Sequence, residues 1–176
     1  MSVLETVLPT GTWRVDPAHT TVEFAVKHMG LATIKGRAPV AEGTLVDGRL
    51  EGEVDAASIT THDADRDAHL ASPDFFDAER HPRLRLVTTE LEQDGDALVA
   101  RTELTIKGVT RPVELRGRIT GEGVDLLGKQ RLGIDLEGSI DRGEFGLKWN
   151  APLPGGGFLL DDDVRIALSI SAVKAA

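Results

Sequence analysis

The sequence predicts an all-β protein, with a single antiparallel sheet of about eight strands that stacks as a sandwich or closes as a barrel. Three observations carry this. Apolar and polar residues alternate through most of the chain: Leu98, Ala100, Thr102, Leu104 and Ile106 stand against Arg101 and Glu103. That is the pattern of a strand with one dry and one wet face, as in antiparallel sheets. The runs are joined by hairpin signals such as Asp47-Gly48. Only residues 60–82, TTHDADRDAHLASPDFFDAERHP, can be drawn as helix, and so short and polar a helix must be held against something larger as a cap. A barrel of about eight strands either fills with its own side chains or holds one small ligand.

In order, residues 1–11 are a lead with Val3, Leu4, Val7 and Leu8 in no clear period, and residues 12–176 form one domain. The first strand starts at Thr12, breaks at Asp16-Pro17, and resumes with Val22, Phe24, Val26 and His28 on one side. A second run covers Ile34 to Val46, irregular around Gly36 and Gly43, and a third places Leu50, Gly52, Val54 and Ala56 on one face. In the cap, Asp63, Asp65 and Asp67 suit a first helical turn, where the helix dipole favours acids. Ser72-Pro73 reads as an N-cap and a proline opening a second short helix, with Phe75 and Phe76 as anchors. Alternation resumes at Leu84 and Leu86, turns at Asp94-Gly95, and continues through Leu98–Ile106 and Val113–Ile119. A glycine-bearing loop is expected from Gly121 to Gly128, followed by strands at Leu132–Ile140 and Val164–Ala172. The link between these two, Gly143 to Asp163, is too long for a simple connection.

Composition excludes several functions. The formal charge is −9 with basic residues scattered among acids, which argues against nucleic acid and anionic membranes as partners. The absence of cysteine removes disulfides, thiolate catalysis and Cys-ligated metal. No secretory signal is legible in MSVLETVLPTGTW, so the cytoplasm is the expected compartment, and no apolar run is long enough for a membrane-spanning helix. His19, His28, His62, His69 and His81 show no metal-ligand spacing, and Asp161-Asp162-Asp163 lacks an EF-hand frame, so no metal site is expected.

The inward parity is populated by small residues: Gly52, Ala56, Ala100, Gly117, Gly138 and Ala172. Two explanations stand side by side. Glycine can relieve crowding between coiled strands, or the missing bulk can leave a ligand cavity. A hydrolase built on Asp67, His69 and Ser72 is the enzymatic alternative, without a G-x-S-x-G context to support it. A solvated cap explains the same residues, and a stress-associated structural or interaction module without ligand is the third reading.

Several blocks in order, WRVDPAHTTVEFAVKHMG, DADRDAHLASPDFFDAERHP, LTIKGVTRPVEL, SIDRGEFGLKWN and DDDVRIALSISAV, resemble the YceI-like, polyisoprenoid-binding family of lipocalin-like proteins. The resemblance implies an eight-stranded antiparallel lipocalin-like β-barrel with a helical cap. Its interior would hold a polyisoprenoid, quinone or fatty lipid, with no catalysis and no required cofactor. From inward parity and aromatic content the ligand wall is expected to comprise Phe24, Val26, His28, Val54, Phe75, Phe76, Leu104, Leu115, Gly117, Ile119, Leu136, Gly138, Phe145, Trp149, Phe158, Ile166 and Leu168. Arg66, Arg142 and Lys148 are dispersed, which favours a neutral head group over a diphosphate. The glycine-rich link carrying Phe145, Trp149 and Phe158 is the expected gate. A homodimer is left open.

Overall fold

The structure, a computed structural model, describes residues 10–175. Ten strands follow in chain order: β1 (Thr12–Val15), β2 (Thr21–His28), β3 (Ala32–Arg37), β4 (Val40–Val46), β5 (Arg49–Asp55), β6 (Arg83–Asp94), β7 (Ala97–Ile106), β8 (Val109–Val124), β9 (Gln130–Asp141) and β10 (Leu160–Lys174). The helix α1 spans Ala64–Ala71, between β5 and β6. All pairings are antiparallel, in the order β1-β4-β5-β6-β7-β8-β9-β10, and β1 pairs again with β10 to close an eight-stranded barrel.

The other two strands extend this ring. Proline has a fixed φ and no N–H, so Asp16-Pro17 stops β1, and the chain makes a short 3-10 turn before β2 resumes beside β10. β3 pairs with β2, then yields at Ala38-Pro39 to β4, which pairs with β1. β1 and β2 are therefore one interrupted stave, as are β3 and β4, which reconciles ten strands with eight. The β3 edge meets the chain before α1 through one bridge, Arg37 to Thr60. At the far end Arg131 ties Asp16 and Asp125 together, each at 2.8 Å. That guanidinium, followed by His19, holds the Asp16 carboxyl down from 3.8 to about 2.

Two expectations are corrected. The cap holds one helix rather than two: Asp63 caps its start by accepting from Arg66 N, and Ser72 ends it, its N–H and hydroxyl both donating to His69 O. Pro73 disfavours a helical conformation in the preceding residue, so a tight turn through Phe76 replaces the second helix. Residues 121–128 are not all loop, because β8 shifts register after Ile119 and runs on to Val124. The reading of Val3, Leu4, Val7 and Leu8 lies outside the described residues.

Candidate functional site

The inward face divides into two kinds of wall. On β7, β8 and β9 most of the inward side chains are buried, including Leu98, Ala100, Leu104, Leu115, Ile119, Leu132 and Leu136. On β2, β6 and the first half of β10 the inward Phe24, Val26, Leu84, Leu86, Ile166 and Leu168 are only half-buried, because they face space. That space is an apolar cavity of about 290 Å³ under α1, near the lower end of the about 300–1,000 Å³ usual for small-molecule sites. A deeper apolar chamber of about 110 Å³ shares Val22, Leu84 and Ile166 with it.

Of the residues expected to form the wall, Phe24, Val26, His28, Phe75, Phe76, Leu104, Trp149 and Ile166 line the main cavity, and Val54 and Leu168 line the deeper chamber. The remainder do not line either. Leu115, Ile119, Leu136 and Phe145 are packed core. Gly117 and Gly138 mark close approaches between strands: a Cβ on Gly117 would stand 1.7 Å from Asp135 O, and one on Gly138 would stand 2.8 Å from Glu114 O. Phe158 points outward and is exposed.

Glycine has one role inside the cavity. Gly36 lies opposite Phe24, and a Cβ there would meet the Phe24 ring at 2.2 Å, so the ring rests against bare backbone and leaves the void open.

Hydrogen bonds hold the cavity roof where packing cannot. Arg142, buried at the end of β9, donates to the carbonyls of Leu147 (2.7 Å), Trp149 (2.8 Å) and Asp161 (2.8 Å). Asn150 pairs with both backbone groups of Leu160. Residues 147–150 are thereby pinned. Trp149 packs edge-on against His69, and His69 against Phe75, with ring centroids 4.6 Å and 5.0 Å apart.

The Asp67 carboxylate accepts from the Thr60 hydroxyl and from both the N–H and the hydroxyl of Thr61, which lowers its pKa, the Thr61 hydroxyl contributing most. His69 Nε2 contacts Asp74 at 2.9 Å, and the Ser72 hydroxyl donates to the His69 carbonyl. Asp67, His69 and Ser72 therefore have separate partners and form no proton relay. Among the described residues no cluster of His, Asp or Glu could hold a metal ion, and no helix is long and apolar enough to cross a membrane.

Sequence reasoning missed Arg142 as the pin of the roof, and Ile34, Leu70, Leu159 and Leu160 as parts of the wall. Ile34 was recoverable, since it lies directly across from Val26. Arg142 carried no signal beyond its place just after a strand.

A profile of the YceI-like domain matches residues 13–172. The chain belongs to the YceI-like family. It is 32% identical over 136 residues to a UPF0312 protein of Pectobacterium atrosepticum, covering 73% of this chain and 71% of that one. It is 31% identical over 137 residues to Protein YceI of Escherichia coli O157:H7, covering 74% and 72%. Two solved structures share this YceI-like barrel. BcnA of Burkholderia cenocepacia superposes with a TM-score of 0.72 at 19% identity, covering 89% of this chain and 98% of that one. A polyisoprenoid-binding domain from Saccharophagus degradans, implicated in plant cell wall breakdown, gives 0.73 at 11% identity, covering 93% and 98%.

Proposed function

We propose that this barrel binds a lipid with a long polyisoprenoid-type tail inside its cavity, without catalysis, for carriage, storage or sequestration. The observation that carries the reading is the apolar void between α1 and the half-buried faces of β2, β6 and β10. A polyisoprenoid-binding domain with the same fold supports it. Each buried CH2 contributes about 0.8 kcal/mol, so a tail of about fifteen carbons gains on the order of 10 kcal/mol gross. Association and ordering cost about 4 kcal/mol or more of this, which leaves about 6 kcal/mol, binding in the range of tens of micromolar.

The head group is neutral in this reading, as in a quinone or prenol. Both guanidinium groups along the cavity are engaged, Arg66 with Thr61 and Arg142 with three carbonyls, so neither is reserved for a diphosphate. Native mass spectrometry and lipid extraction of the purified protein test the proposal, with a prenol- or quinone-sized adduct as the expected result. Trp149 fluorescence should respond to added prenol. Repeated recovery of empty protein that also fails to bind added prenols and quinones overturns the reading.

A further inference from the structure

We propose that the rim of the cavity mouth is a docking surface for a zwitterionic lipid bilayer, a step that rests on the lipid-binding reading above. Two loops form this rim. The β2–β3 turn carries Met29 and Leu31, 44% and 81% exposed, and the link before β10 carries Phe158, 64% exposed. The loops touch: Met29 N donates to Leu159 O at 2.7 Å. Their immediate neighbours His28, Leu159 and Leu160 line the cavity, so the exposed apolar side chains continue its wall outward. Met29 and Gly30 both have positive φ, at 57° and 67°, as a tight hairpin turn requires. This geometry pushes a large apolar residue to the tip, where solubility alone would favour a polar one.

The occupant follows from chemistry and charge. A tail leaving a bilayer for this cavity would otherwise expose its full length to water, and an apolar rim seated at the acyl boundary removes that exposure. Lys27 and Lys35 lie on the outer face of the β2–β3 ribbon, and Asp161, Asp162 and Asp163 lie where β10 bulges opposite β2. With both signs at the rim of a chain of net charge −9, nothing there favours an anionic surface. A phosphocholine surface, neutral overall, fits the mixture. Val124, Leu126 and Leu127 are also exposed, but they sit at the end of β8 and on the β8–β9 turn, at the opposite end, and line neither of the two apolar cavities described above.

Flotation of the full chain with phosphatidylcholine vesicles is the test. Wild type should float, and Leu31→Glu and Phe158→Glu should each lower the bound fraction by at least about tenfold. Leu126→Glu should change nothing. An unchanged thermal unfolding midpoint shows that each variant is folded. Uptake of prenol dispersed from ethanol should survive Leu31→Glu, whereas uptake from prenol-loaded vesicles should slow. If no prenol is taken up from either source, the ligand reading fails while flotation still decides docking. The docking proposal is overturned if wild type does not float, if Leu126→Glu acts as strongly as Leu31→Glu, or if light scattering shows a dimer that Leu31→Glu dissociates.

Discussion

The β7–β9 wall and the β2–β10 wall are written in the same alternating pattern, yet one is solid and the other encloses a void. In the first, Leu98, Leu115, Leu132 and Leu136 fill the interior, and bare glycine at 117 and 138 lets strands approach closely. In the second, Phe24 lies back on Gly36, and the space it faces is closed by a helix and a pinned loop as well as by the ends of β7 and β9, through Leu104, Ile106 and Ile140. A wall facing empty space lacks inward contacts and needs another source of order. Arg142, Asn150 and Asp67 supply it through hydrogen bonds. Packing holds one side of the molecule, and polar pins hold the other.

This contrast is open to measurement. Leu115→Ala should show the largest effect, about 2–5 kcal/mol in urea unfolding, because it empties a filled site. Leu84→Ala, on the cavity wall, should cost no more than about 2 kcal/mol, since its side chain already faces a void. Equal losses at the two sites would erase the distinction.

Arg142→Met should cost about 2–3 kcal/mol by leaving three carbonyls without their donor, and should shift Trp149 emission. An unaltered spectrum would show that the roof does not depend on this pin. Gly117→Ala should destabilise by about 1–3 kcal/mol, since the new methyl collides with Asp135 O. Gly52→Ala, whose nearest obstacle is 3.8 Å away, is the matched control expected to stay close to wild type.

Gly36→Ala should alter ligand capacity more than stability, because the obstacle is a movable ring. Displacement of Phe24 into the void should weaken prenol binding by about tenfold, a loss of about 1.4 kcal/mol, and Phe24→Leu in the same chain should restore it. The smallest effect concerns pH. Because the Asp16 carboxyl is held at about 2 rather than 3.8 when folded, its contribution is complete above the ordinary value and is lost as pH falls through about 2. The stability gap between wild type and Asp16→Asn should therefore be flat near neutrality and shrink below about pH 4. A gap that widens on acidification contradicts the Arg131 clamp.

The staves were legible because each obeys period two and is bounded by proline or a turn dipeptide. The break within β1–β2 announced itself through Pro17, whereas the break between β3 and β4, at Ala38-Pro39, lies inside a stretch that reads as one irregular run from Ile34 to Val46. What alternation does not encode is how closely two strands approach. Gly117 and Gly36 look alike in sequence, but one meets a backbone carbonyl and the other an aromatic ring. Inward parity likewise led to Leu115 and Leu136 as readily as to Val26 and Ile166, since it reports a face and not what stands across from it. The end of the helix at Ser72 was misread because serine before proline serves equally well to stop one turn and to begin another.

The single bridge between Arg37 and Thr60, with N···O distances of 2.8 Å and 2.9 Å, gives the vessel a seam. Elsewhere, dilation would have to unzip a ladder along its length, whereas here two bonds separate a rigid stave from a hinged hatch. Amide exchange at Arg37 and Thr60 should accordingly outpace that along β8, and a bulky guest should enter by springing this joint while the hoops on the far side stay tight.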